Sequence, residues 1–185
     1  TFMREVIDQL DPEFLYLYGC QWFSQFNTTF KYIGKYEKLQ LFLRIQEEKI
    51  VSIWVIFKAY FNVLSVNLEV DTTDKSKFIH PMSHELDFMN LKKIFEDKDM
   101  APVYTNREYS PDYLTLMLYE IKKGNLEFSN VNKVRFHFFQ LNNWYFELTE
   151  FNRSGANAGW LISDLVKVDE LQKEQLRKFI YHESK

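Results

Sequence analysis

Three observations predict an α+β fold. Helix starts are signalled near the beginning, middle and end of the chain, residues 38–70 alternate with a period of two, and residues 134–151 read as a hairpin. Antiparallel strands adjacent in sequence, with helices between and beyond them, do not give the strict alternation of a doubly wound parallel sheet. The expected architecture is an antiparallel meander (about 38–70) and a C-terminal hairpin (134–151) packed with N-terminal, central (111–123) and C-terminal helices. No internal repeat or linker-like composition break interrupts the chain, so 1–185 is expected to be a single globular domain.

Asp11-Pro12-Glu13 combines a capping acid, a proline at the first helical position and an acid facing the helix dipole. It predicts a helix through Phe14, Leu15, Leu17, Tyr18, Trp22, Phe23 and Phe26, apolar on nearly every side and so buried on more than one face. A short helix over 2–10 precedes it. From Lys38, Leu39, Leu41, Leu43 and Ile45 share one face and Lys38, Gln40 and Arg44 the other, a half-exposed strand. After the turn at 46–49, residues 50–59 are apolar on both faces, which predicts a central strand. Leu64, Val66, Leu68 and Val70 complete the meander. Ser110-Pro111-Asp112 starts the central helix, Leu114, Met117, Leu118 and Ile121 form its apolar stripe, and Gly124 ends it. Asn142-Asn143 is expected to be a two-residue turn placing Leu141 opposite Trp144, Phe139 opposite Phe146, His137 opposite Leu148 and Arg135 opposite Glu150. The last helix runs from about Asp169 to Tyr181, acidic first and basic later.

Composition removes several classes. With 46% hydrophobic and 18% aromatic residues, the 185-residue chain can build a substantial core, and five glycines and four prolines are too few for a linker-rich or collagen-like protein. A lone cysteine, Cys20, excludes an intramolecular disulfide and a cysteine-based zinc site, and fits a reducing, cytoplasmic setting. No apolar run reaches the ~20 residues a membrane helix needs. A net charge of −3 without a basic stripe disfavours nucleic acid. No cofactor motif is present.

Candidate chemistry is sparse. His80, His84, Glu85 and Asp87 gather nitrogen and oxygen ligands within eight residues and are weak candidates for a metal or acid–base site, although the spacing is not that of zinc proteases. Glu120-Ile121-Lys122 has the Glu-x-Lys form of many nucleases, but on a helix the two side chains diverge by about 200°. Glu47-Glu48-Lys49 repeats the form within a turn. Gly155 to Gly159 offers amides for an anion, without the pattern of a phosphate loop, and reads better as the connection between hairpin and final helix. Cys20 within an apolar segment reads as inert packing and His137 as a core histidine.

One asymmetry remains. Residues 69–112 hold ten acidic and six basic side chains, a net of −4, whereas the rest of the chain is +1. Aromatics are interleaved there, and charge with aromatic anchors suits a surface that meets a basic partner. The expected function is a non-enzymatic protein-binding domain, of inhibitor or immunity type, that docks a basic protein through Phe88, Glu96, Asp97, Asp99 and Tyr104. The alternative is a metal-dependent hydrolase or other small-molecule enzyme using the His80/His84/Glu85/Asp87 cluster.

Overall fold

A computed structural model describes residues 2–6, 12–19, 21–48, 51–63, 112–155 and 157–183. The chain divides into two compact units, Thr1–Phe61 with Tyr113–Lys185, and Asn62–Asp112. The first holds six strands: β1 (Trp22–Tyr32), β2 (Lys35–Glu47), β3 (Ser52–Tyr60), β4 (Leu126–Phe138), β5 (Trp144–Phe151) and β6 (Gly159–Lys167). They form one antiparallel sheet in the order β3-β2-β1-β4-β5-β6. Three helices accompany it, α1 (Phe2–Val6), α2 (Tyr113–Lys122) and α3 (Glu170–Ile180).

The expected α+β packing of N-terminal, central and C-terminal helices is therefore corrected: about half of the described residues are antiparallel sheet. α1 is little more than one turn, so the helical part is mainly α2 and α3, of 10 and 11 residues. The largest error lies at the start. No helix runs through Phe14 to Phe26; Pro12–Tyr16 has no regular structure, bends follow, and Trp22 opens β1. Aromatics on every side of a notional helix are, on a strand, two apolar faces. Trp22, Ser24, Phe26 and Thr28 take one and Phe23, Gln25 and Asn27 the other.

β2 forms as expected, but it is not half-exposed. Leu39 and Leu41 are buried on one face and Phe42, fully inaccessible, on the other. β3 also forms but is not central, since among the described residues it is an edge of the sheet, with Ile53, Trp54 and Ile56 exposed. The expected strand at 64–70 lies outside the described residues. α2 lies within the expected 111–123, with the Ser110-Pro111 start outside the described residues; of the expected stripe Met117 is buried while Leu118 and Ile121 are exposed, and Gly124 ends the helix in the left-handed region at φ 75°. The Gly124 amide donates to the Ile121 carbonyl and the Asn125 amide to the Glu120 carbonyl, the two bonds of a Schellman stop.

The Asn142-Asn143 turn exists, with Asn143 at φ 59° and the Trp144 amide donating to the Leu141 carbonyl at 3.3 Å. The ladder behind it is one residue out of the expected register: Phe138 opposes Phe146, His137 opposes Glu147, Phe136 opposes Leu148 and Arg135 opposes Thr149. The shift leaves Phe139 and Gln140 outside the β5 ladder, with the Phe139 amide donating to the Gln21 carbonyl on the β1 side. A slip of one turns half of an apolar row over. His137 and Phe139 consequently face one way, Phe136, Phe138 and Phe146 the other.

β6 was not expected at all. The 155–159 segment joins β5 to this strand rather than to the final helix. The β5–β6 register shifts between Glu147 and Leu148, so Ile162 and Leu165, three residues apart, share a face. That spacing hides the strand from a search with period two.

The first face of the sheet is covered. Phe23, Phe42, Phe139, Tyr145 and Val168 form a buried cluster, with Phe57, Leu176, Ile180 and Tyr181 packed against it. α3 lies over this cluster, as its apolar stripe requires. Asp169 caps it by accepting from the Gln172 amide while the Gln172 side chain returns the bond to the Asp169 amide. Its buried Lys173 donates to the Leu141 carbonyl at 2.8 Å, and Arg177 lies 4.9 Å over the Phe139 ring. We expect Phe42→Ala to cost about 3–5 kcal/mol in urea unfolding, whereas Phe128→Ala, at 60% exposure, costs under about 0.5 kcal/mol. Equal effects would show that the core lies elsewhere.

Candidate functional site

Cross-strand partners share a face, so the register assigns every side chain to one side of the sheet. Opposite the α3-covered face lie Trp22 of β1, Ile45 of β2, Trp54 and Ile56 of β3, Phe136 and Phe138 of β4, Phe146 and Leu148 of β5, and Trp160, Ile162 and Leu165 of β6. Their rings touch in a continuous series. Trp22 stacks on Phe138 at 5.6 Å and 7°, Phe138 on Phe146 at 4.6 Å and 6°, and Phe2 of α1 meets both Phe146 and Trp144 edge-on. Trp54 stands edge-on to Trp22 at 5.6 Å.

Phe136 occupies the middle of the sheet, and two tryptophans from its opposite margins lean on it. Trp54 lies 6.5 Å away at 50° and Trp160 lies 5.1 Å away at 61°. Phe136 is half-buried, while Trp54 is 49% and Trp160 47% exposed. This face is closed in part: Ser24, Thr28, Leu39, Leu41 and Ala59 on it are buried, α1 covers the Trp144–Phe146 side, and the 12–19 segment meets it through the Trp22 indole N–H, which donates to the Leu17 carbonyl at 2.9 Å. Ile56, Ile162 and Leu165 remain exposed beside the tryptophans. Contiguous apolar side chains on a sheet face mark a contact surface more often than single exposed ones do.

Each tryptophan has a carboxylate beside it. Glu150 is the direct cross-strand partner of Trp160, and Glu47 pairs with Ser52, one position along the same face from the Ile45–Trp54 pair. The register shift is responsible for the first. The expected Arg135–Glu150 pair does not form, Arg135 instead lying 3.9 Å from Glu147 on the α3 side. Neither Glu150 nor Glu47 has an ion-pair partner among the described residues.

The α3 side holds the other notable polar feature, a hydrogen-bonded chain across four strands. His137 is 2% exposed, its Nδ1 2.9 Å from the Tyr145 hydroxyl and its Nε2 3.0 Å from Gln25 Oε1. Gln25 Nε2 donates to Gln40 Oε1 at 3.0 Å, and His182 Nε2 lies 2.9 Å from the same oxygen. The Gln25 orientation fixes the tautomer. Its oxygen accepts, so His137 carries its proton on Nε2, and Nδ1 accepts from Tyr145. Sequence reasoning placed His137 in the core correctly, but its partners are side chains rather than backbone. No ring nitrogen is free for catalysis.

Burial, followed by the nearby Arg135 charge, lowers the His137 pKa to about 3. Burial also raises that of Tyr145, with Glu147 adding to the effect. Unfolded His137 binds its proton near pH 6.5, well before the folded ring does, so its contribution is complete above that pH and is lost as pH falls toward 3. We expect this residue alone to lower unfolding free energy by about 2 kcal/mol between pH 8 and pH 5. His137→Leu should be less stable at pH 8, because Tyr145 and Gln25 lose a partner, and should lack that increment. Urea titrations at both pH values read the difference; an unchanged pH slope in the variant would refute the buried, neutral ring.

The expected binding residues Phe88, Glu96, Asp97, Asp99 and Tyr104 lie outside the described residues, as do Cys20 and the His80, His84, Glu85 and Asp87 cluster. Among the described residues no three His, Cys, Asp or Glu side chains gather to hold a metal. Glu120 accepts from the Asn125 side chain at 2.9 Å, part of the stop of α2. Arg153 donates to the Asn157 carbonyl at 2.8 Å and lies over Phe151, so the cation beside the glycine segment serves the loop itself. A shallow cleft of about 380 Å³ at the end of β2 is lined by Tyr18, Gly19, Arg44, Ile45, Gln46 and Glu47. No helix among the described residues is long and apolar enough to cross a membrane. Comparison with known proteins finds no family model, no curated relative and no solved structure that matches the chain.

Proposed function

We propose that the chain is a non-enzymatic protein-binding domain that docks a partner with a basic surface. The observation that carries this reading is the aromatic sheet face: Trp54 and Trp160 half-exposed on a ring-lined surface, each with a carboxylate beside it that has no ion-pair partner among the described residues. Buried aromatic anchors supply most of the energy of a protein contact and peripheral charge supplies speed and selection. The acidic excess of residues 69–112 supports the same sign of partner, with Glu96, Asp97 and Asp99 as steering charges and Phe88 and Tyr104 as anchors. Its size and acidity fit an inhibitor or immunity-type protein acting on a cationic target in the cytoplasm.

Binding kinetics at two salt concentrations against a partner captured from the source cells test the reading. We expect the partner to be basic, with association slowed by added salt and by the Glu96→Lys, Asp97→Lys, Asp99→Lys triple variant, because surface charges act over about 8 Å at physiological ionic strength. Trp54→Ala and Trp160→Ala should chiefly raise the off-rate. Rates indifferent to salt, charge reversal and both tryptophans would contradict the proposal.

A further inference from the structure

We propose that Trp54, Phe136 and Trp160 form a receiving site for a single cationic side chain, an arginine or lysine of the protein partner. The inference rests on the binding reading above and names the chemical group that the aromatic face takes.

Strand order supplies the shape. Trp54 stands on one margin of the sheet and Trp160 on the other, and both contact Phe136 on β4 between them, with ring planes inclined by 50° and 61°. Phe136 thus carries an inclined indole from each margin, and the three rings offer their faces and edges to one partner group. A cation within about 6 Å of an aromatic centroid is drawn to the ring face, most strongly to tryptophan, and several rings around one cation are how quaternary ammonium groups are held.

Charge supplies the sign. Glu150, across from Trp160, and Glu47, near Trp54, put negative charge beside both indoles. Among the described residues the cation–π contacts fall on other rings. They place Lys and Arg over Phe57, Tyr181, Tyr119, Phe151, Trp144 and Phe139. None lies over Trp54, Phe136 or Trp160 among the described residues. Three rings and two carboxylates without a cation are complementary to one brought by a partner, whereas a purely apolar partner would leave both acids uncompensated at the contact.

N-acetyl-arginine amide, with N-acetyl-citrulline amide as its neutral isostere, is the direct probe. Titration followed by NMR of the four indole N–H signals should show saturable shifts at Trp54 and Trp160 and not at Trp22 or Trp144. We expect arginine to bind at least about fivefold more tightly than citrulline. Glu150→Gln, at an exposed site, should reduce that ratio about twofold or more, and Trp160→Leu should abolish it. Equal binding of arginine and citrulline, shifts confined to Trp22 and Trp144, or a preference untouched by Trp160→Leu would each overturn the proposal. Those outcomes leave the wider binding reading intact, because that reading fails only if a protein partner's kinetics ignore the tryptophans, salt and charge reversal.

Discussion

A single sheet has two faces, and this chain lines both of them with aromatic rings: α3 closes one, while the other is buried at Ser24, Thr28, Leu39 and Leu41 and exposed around Trp54 and Trp160. The rest of the structure follows from that constraint. Strands buried on both sides lose the clean alternation of a half-solvated sheet, which is why β1 carries Trp22 and Phe26 on one face and Phe23 on the other. One face is closed by α3, whose capping box, buried Lys173 and apolar stripe fix it over Phe23, Phe42 and Phe139. The opposite face is buried around Thr28, Leu39 and Leu41, and beyond them its rings contact one another with Trp54 and Trp160 half-exposed.

The two faces solve their polar problems differently. On the closed side, Tyr145, His137, Gln25, Gln40 and His182 pass hydrogen bonds from strand to strand, so these five side chains find partners inside an aromatic core, while Asn27 Oδ1, Arg135 Nε and Arg177 Nε are buried without a hydrogen bond among the described residues. A satisfied network of this kind specifies one strand register, because a slip would leave His137 and Gln25 unpaired at a cost of about 1–3 kcal/mol each. Among the described residues no such chain crosses the other side, where Glu47 and Glu150 are exposed beside the rings. The same register that hides His137 exposes Glu150, which makes core specificity and surface character two results of one alignment.

Much of the local structure was legible in the residues. The position of α2 and its Gly124 stop, the acidic start and basic end of α3, the alternation of β2 and the positive φ at Asn143 follow from neighbouring side chains alone. What was not legible depends on contacts distant in sequence. Asp11-Pro12-Glu13 carries every local mark of a helix start, yet the aromatic run after it forms β1, because pairing with β2 and β4 buries two rows of rings where a lone helix would leave one exposed. The hairpin register left Phe139 outside the β5 ladder, its amide bonded on the β1 side to Gln21, some 118 positions away in the chain. β6 was concealed by the bulge opposite Glu147. The open aromatic face could not be read either, since Trp54, Phe136 and Trp160 are brought together only by strand order.

The openness of that face is the central claim, and the four tryptophans report on it without any substitution. A soluble paramagnetic agent broadens protons in proportion to their exposure. The account predicts strong broadening of the Trp54 and Trp160 indole N–H signals and weak broadening of Trp22, which is 8% exposed and bonded to the Leu17 carbonyl. Protection of Trp54 and Trp160 to the level of Trp22 would contradict it, because the face assigned to a partner would then be already closed.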